Sequence, residues 1–387
     1  MGWIFLGVAT LGMLLSLAAW FPARRLGSFA MVYMFAGWLT GELALQHLVW
    51  QALATLGFAL AGAFETAPGI AGLALTFASW ALLLASHLRG VQPDASPLHG
   101  LRHPFRMRRE GVETIRNVEY GAPLPGDKGR RNLLDIVRPV APGERRPALL
   151  QIHGGGWVIG DKEQQGQPLM AHLASRGWVC FAINYRLSPQ ATFPDHIVDV
   201  KRAIRWIRAH AAEQGADPDF LCVTGGSAGG HLSALAAVSA NDPRFQPGFE
   251  EVDTRLAAAV PFYGVYDFLD RSGIRGSQKM EPFLAKQVLK CTPEENRELW
   301  EAASPIAHVS SEAPPFLLVH GTHDSLVWIE EMRAFQAALA EKSRQPVLTL
   351  ELPGGQHAFD TFHSPRSAHA VRAVTAFLEG VHADYLR

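Results

Sequence analysis

Apolar and polar positions divide this chain into two regimes. From Met1 to Leu88 the only formal charges are Arg24, Arg25, Glu42 and Glu65. Three apolar stretches fill that segment: Trp3 to Phe21, Phe29 to Phe64, and Pro68 to Leu88. Each is long enough to cross about 30 Å of hydrocarbon. The middle one is too long for a single perpendicular helix and cramped for two. Buried helices of a water-soluble domain are the competing reading, but charge-free runs of this length are rare there. A cleaved signal peptide would carry its basic residues before the first apolar run, whereas Arg24 and Arg25 follow it.

Beyond Leu88 the pattern changes. Residues 89–112 read as a linker, with Pro93, Pro97, Pro104 and mixed charge. Short apolar runs then alternate with helical periodicity. Strands are expected at Thr114–Tyr120, Leu133–Arg138, Pro147–His153, Trp178–Tyr185, Phe220–Thr224, Ala257–Phe262, Pro315–His320 and Val347–Leu352. Helices are expected at Asp195–Gln214, Val327–Lys342 and Ser367–Leu378. Buried strands alternating with helices predict an α/β domain, a mainly parallel sheet with helices on both faces. The expected organisation is a transmembrane helical region at 1–88, a linker at 89–112, and an α/β domain at 113–387 with a cap-like insertion at about 266–303.

Charge narrows the partners. The chain has 35 basic and 36 acidic residues, so no basic excess argues for nucleic acid. Arginine placement suggests an orientation. Arg24 and Arg25 lie in the first loop, and Arg89, Arg102, Arg106, Arg108 and Arg109 follow the third apolar stretch. With three spans, the excess of positive charge on the cytoplasmic side puts the C-terminal domain in the cytoplasm of a multi-pass cell-membrane protein. Cys180, Cys222 and Cys291 are an odd set, two of them within strand-like runs, which favours free thiols and agrees with a reducing compartment. Glu42, Gln46, His47 and Gln51 interrupt the middle apolar stretch. They mark either an intramembrane functional site or a span that slides to leave them at an interface.

Chemistry is concentrated in three places. Gly225-Gly226-Ser227-Ala228-Gly229 follows an apolar strand and precedes a helical run, the setting of a G-x-S-x-G nucleophile elbow. His153-Gly154-Gly155-Gly156-Trp157 ends an earlier strand, and backbone N–H groups in such a loop suit a tetrahedral oxyanion. Gly154, Gly155, Gly156 and Ala228 are the expected oxyanion donors, with His153 orienting the loop. A phosphate loop would end in Gly-Lys-Ser/Thr, which is absent here. Late in the chain, Asp324 and His357 each follow a strand. Their order after Ser227 is that of an acid and a base serving a serine nucleophile. Asp360 is the rival acid on spacing.

Together these stretches resemble the hormone-sensitive-lipase-like carboxylesterases of the α/β-hydrolase superfamily. The matching runs are HGGGWVIGD (153–161), NYRLSPQATFPDHIVDV (184–200), GGSAGGHL (225–232), HGTHDSLV (320–327) and GGQHAF (354–359). The resemblance implies an ester hydrolase with no metal or organic cofactor, acting on a small-molecule or lipid ester through Ser227, His357 and Asp324. Two departures stand out. Gly226 occupies the position where that branch usually carries Asp, which brings the chain nearer to bacterial esterases that shade into arylformamidases. The usual N-terminal cap helices also have no obvious counterpart, so a lid is expected from 266–303, where Phe268, Phe283, Leu284, Val288, Leu289 and Trp300 either line an acyl pocket or pack the insertion down. An acyltransferase, an arylformamidase-like amide hydrolase, and a catalytically silent receptor or scaffold are the alternatives. Oligomeric state is not legible.

Overall fold

The computed structural model describes residues 1–22, 29–93, 96–107, 109–129, 131–276 and 280–387. Arg24, Arg25 and Arg108 lie outside the described residues. The chain forms two compact units, one of 1–106, 321–326 and 351–370, the other of 107–320, 327–350 and 371–387.

The first unit is built on apolar helices. They are α1 (Gly2–Trp20), α2 (Ala30–Glu42), α3 (Ala44–Leu60) and α4 (Ala67–Gly90). Helices α1 and α4 each have the length and apolarity to cross a membrane; α2 and α3 meet at an 87° bend and together make a third candidate span. The long middle stretch is therefore broken, with Leu43 at the break. Thr66 starts α4 by accepting the Gly69 N–H, and Pro68 sits in the first turn, where its missing N–H costs nothing. Both apolar and polar groups meet between these helices: Phe5 of α1 packs on Phe58 of α3 at 5.1 Å, the Ser16 and Ser79 hydroxyls lie 2.7 Å apart, and Ser79 donates to Gln51 Oε1 at 3.0 Å.

The second unit carries the sheet. In chain order its elements are β1 (Val112–Glu119), β2 (Leu133–Pro139), β3 (Arg146–Ile152), α5 (Gln167–Ser175), β4 (Val179–Ile183), α6 (Asp195–His210), β5 (Ala216–Gly226), α7 (Ala228–Val238), β6 (Ala258–Phe262), α8 (Glu281–Phe283), α9 (Arg297–Ala302), β7 (Phe316–Gly321), α10 (Ile329–Lys342), β8 (Val347–Leu352) and α11 (Pro365–Tyr385). The strand order is β1-β2-β4-β3-β5-β6-β7-β8. Strand β2 is antiparallel to β1 and β4, while β4, β3, β5, β6 and β7 run parallel. This is the expected α/β-hydrolase fold preceded by an apolar helical region.

Sheet register positions the chemistry. Ile152 at the end of β3 pairs with Gly225 near the end of β5. The loops that follow, one rich in glycine and one carrying Ser227, therefore leave neighbouring strands at the same edge. The 184–200 motif holds this edge in shape. Arg186 donates from its Nε (2.8 Å) and Nη2 (3.0 Å) to Asp199 on α6. The Asn184 side chain accepts from Lys162 N–H and donates to Asp161, pinning the far end of the glycine loop. Cys180 and Cys222 are buried free thiols and Cys291 is half-buried and free.

Candidate active site

Ser227 sits at the turn between β5 and α7 with φ 59° and ψ −119°, a conformation that costs a non-glycine residue strain. Two backbone hydrogen bonds maintain it: Ser227 N–H donates to Phe262 O at 3.0 Å, and Ser227 O accepts from His231 N–H at 2.9 Å. The turn is tight enough that a side chain at Gly229 would overlap the Ile152 carbonyl oxygen. Gly226 has a local explanation: a β-carbon there would lie 2.7 Å from the Tyr263 hydroxyl.

The glycine loop lies against this elbow. A β-carbon on Gly154 would fall 3.1 Å from Ser227 Cβ. Gly155 (φ 115°) and Gly156 (φ 59°) have backbone conformations that favour glycine. The Gly154 N–H donates to Gln165 Oε1 at 2.7 Å, so it is engaged and is withdrawn from the set of expected oxyanion donors. Among the described residues neither the Gly155 nor the Gly156 N–H has a hydrogen-bond partner. Ala228 opens α7, whose first N–H groups have no partner within the helix. His153 donates from Nδ1 to Gly154 O at 2.7 Å and stacks on Tyr185 at 4.4 Å. Burial lowers its pKa to about 4, which favours the neutral ring.

His231, which no motif singles out by itself, is part of the same site. The Trp157 indole donates to its Nδ1 at 3.1 Å, so the ring proton must sit on Nε2, which donates to Ala303 O at 2.7 Å. One neutral imidazole in a single tautomer thus joins the glycine loop, α7 and the end of the insertion. Burial lowers its pKa to about 4, consistent with the neutral form. Its signal was its place one turn past the serine within GGSAGGHL.

In the other unit, His357 Nδ1 and Asp324 Oδ2 are 2.7 Å apart and both residues are buried. Asp324, and not Asp360, is the carboxylate paired with this nitrogen. Gln356 Oε1 accepts from the N–H groups of Ser325 (2.8 Å) and His357 (3.0 Å), tying the two segments together. Asp324 Oδ1 accepts from Leu326 N–H at 2.9 Å. An imidazole so held has one tautomer available and a carboxylate ready to stabilise its cation.

Within the insertion, Phe268, Leu284, Val288, Leu289 and Trp300 are buried, so they pack it onto the unit. Phe283 differs. It is 39% exposed, and its Cζ would lie 3.6 Å from a β-carbon on Gly156, which leaves it facing the glycine loop as a lining residue.

Comparison with known proteins gives the family and the class of activity. A protein-family profile described as BD-FAE matches residues 134–339. The chain is 53% identical over 260 residues to the probable carboxylic ester hydrolase LipM of Mycobacterium tuberculosis, covering 67% of this chain and 60% of LipM. It is 43% identical over 366 residues to the esterase LipQ of the same organism, covering 91% of this chain and 85% of LipQ. It thus spans less than two thirds of LipM but most of LipQ. Among solved structures, the propionate-bound esterase Est2 of Thermogutta terrifontis matches with a TM-score of 0.55 and 28% identity over 71% of this chain and 96% of that one. Fold and relatives define the class, a carboxylic ester hydrolase of the α/β-hydrolase type. Within that class the chain belongs to the BD-FAE family.

Proposed function

We propose that this chain is a membrane-anchored serine carboxylesterase that forms an acyl-enzyme on Ser227. The observation that carries the reading is the strained elbow at Ser227 with the glycine loop beside it. Ser227 Oγ attacks the ester carbonyl while His357 takes its proton and Asp324 stabilises the imidazolium. The oxyanion is received by the N–H groups of Gly155, Gly156 and Ala228. His357 returns the proton to the departing alcohol. Water, deprotonated by His357, then releases the acid and restores the serine. The Asp324–His357 pair at 2.7 Å supports the base and acid assignments.

Anchoring is supported by α1, α4 and the bent α2–α3 pair. The basic residues after α4 favour a cytoplasmic catalytic domain. A bilayer location suits apolar esters taken from lipid, with Phe283 contacting the acyl or alcohol group.

The test is pre-steady-state acylation by a chromogenic short-chain ester, using full-length protein in vesicles. The native chain gives a burst equal to the enzyme concentration. Ser227→Ala abolishes the burst and lowers turnover on the order of 10⁶-fold, with the melting temperature retained. Full turnover by that variant overturns the nucleophile assignment. Release of the native protein from the same vesicles by alkaline carbonate overturns the anchor.

A further inference from the structure

The segments bearing Asp324 and His357 belong to the same compact unit as the apolar helices, and one buried side chain joins them. Arg366, near the start of α11, is 3% exposed. Its Nε donates to Pro353 O at 2.9 Å, its Nη2 to Ser86 O of α4 at 2.7 Å, and its Nη1 to Glu42 Oε1 of α2 at 3.2 Å and Gly41 O at 3.4 Å. The second Glu42 oxygen accepts from the Ser364 hydroxyl at 2.6 Å. Both carboxylate oxygens and all three guanidinium nitrogens are therefore used. The acceptors lie on two apolar helices and on the segment that carries the base. Pro353 precedes His357 and Ser364 follows it, so the cluster grips that segment at both ends.

Other contacts run the same way. The Trp38 ring of α2 packs on Phe362 at 5.3 Å. A β-carbon on Gly37 would lie 3.4 Å from Gln356 Nε2, whose Oε1 receives the His357 N–H. Arg89 of α4 donates to His323 Nε2 at 3.2 Å, next to Asp324. A charged pair buried among apolar helices is costly unless every group is satisfied, and here each group is.

We propose that Glu42 and Arg366 are positioning residues for the base, clamping the His357 segment onto α2 and α4, so that the helices that anchor the chain also set its catalytic geometry. The proposal rests on His357 being the base. It assigns the acid inside the middle apolar stretch a task other than contact with substrate.

The test uses full-length protein in vesicles, with kcat and KM measured separately on a soluble p-nitrophenyl ester. The informative variants are Ser364→Ala, Glu42→Gln and the double variant Glu42→Gln/Arg366→Met, which removes both charges and leaves neither uncompensated. Loss of the clamp lets the imidazole drift, and displacement of about 1 Å costs about 10²-fold in rate. Expected results are a kcat lowered about 10- to 100-fold in the double variant, a smaller loss in Ser364→Ala, and KM within about threefold of native. The low-field proton resonance of His357 Nδ1–H, identified by its loss in His357→Ala, should shift or broaden in the same order. Native kcat and an unmoved resonance in all three variants overturn the proposal, as does a change confined to KM. Should the double variant fail to fold, Ser364→Ala, which leaves the ion pair intact, decides alone. His357→Ala separates the two claims: if it retains native turnover, the base assignment itself is wrong; if it is inactive while the clamp variants are native, only the clamp is.

Discussion

At the scale of single residues the site is governed by close approach. Tyr263 occupies the volume that a side chain at position 226 would need, with its hydroxyl 2.7 Å from a β-carbon there. Gly226→Asp, which restores the residue usual in the related branch, therefore over-packs the elbow and should lower stability by about 1–3 kcal/mol. The penalty should shrink when the same change is made in a Tyr263→Ala background. Thermal melts of the four proteins check this; equal penalties in both backgrounds contradict it. The departure at 226 was legible in the sequence, but its cause was not, because Tyr263 follows a different strand. Gly154 is similar. Its glycine neighbours read as oxyanion donors, yet its own N–H is taken by Gln165, a side chain whose direction no local pattern reveals.

At the scale of elements, adjacent β3 and β5 bring the glycine loop and the elbow to one edge, and His231 braces them. The His231 imidazole accepts from Trp157 and donates to Ala303, so His231→Ala leaves a buried indole N–H and a buried carbonyl unsatisfied at about 1–3 kcal/mol each. The loop beside Ser227 loses its tether as well. Expected results are a lower melting temperature and a kcat reduced about tenfold or more. His231→Gln, which offers both an acceptor and a donor, should recover part of each. Native kcat in the alanine variant contradicts the bracing role. Element boundaries show what pattern conveys. Strand β8 was read at its observed limits because its apolar run is bounded by a proline on each side. Strand β5 begins at Ala216, earlier than read, because Asp217 and Asp219 break the apolar run while the backbone still pairs with Arg146. The α2–α3 bend was not legible, since no proline marks residues 29–64 and several glycines and polar residues offer equivalent breaks, and the partner of Glu42 lies far along the chain.

At the scale of the whole molecule, buried neutral histidines link stability to pH. Burial lowers the pKa of His153 to about 4, of His196 to about 3 and of His231 to about 4, against about 6.5 in an unfolded chain. Above about pH 6.5 neither state binds these protons and the stability they protect is complete. Between about 6.5 and 4 only the unfolded chain takes them up, so stability falls as pH falls, by up to about 1.4 kcal/mol per pH unit for each histidine. Urea midpoints measured from pH 8 to pH 5 should decline, less steeply in His231→Gln; a flat or rising series contradicts the neutral assignments. The division into an apolar helical region and a charged sheet domain was legible from charge placement alone. That residues 321–326 and 351–370 form one unit with those helices was not, because most of the sheet lies between them in sequence.

The most direct test is covalent labelling of the full-length protein by a fluorophosphonate, followed by mass spectrometry of its peptides. One adduct per chain is expected, on Ser227, absent in Ser227→Ala and formed far more slowly in His357→Ala. Stoichiometric labelling at another residue, or undiminished labelling without the imidazole, would contradict the account.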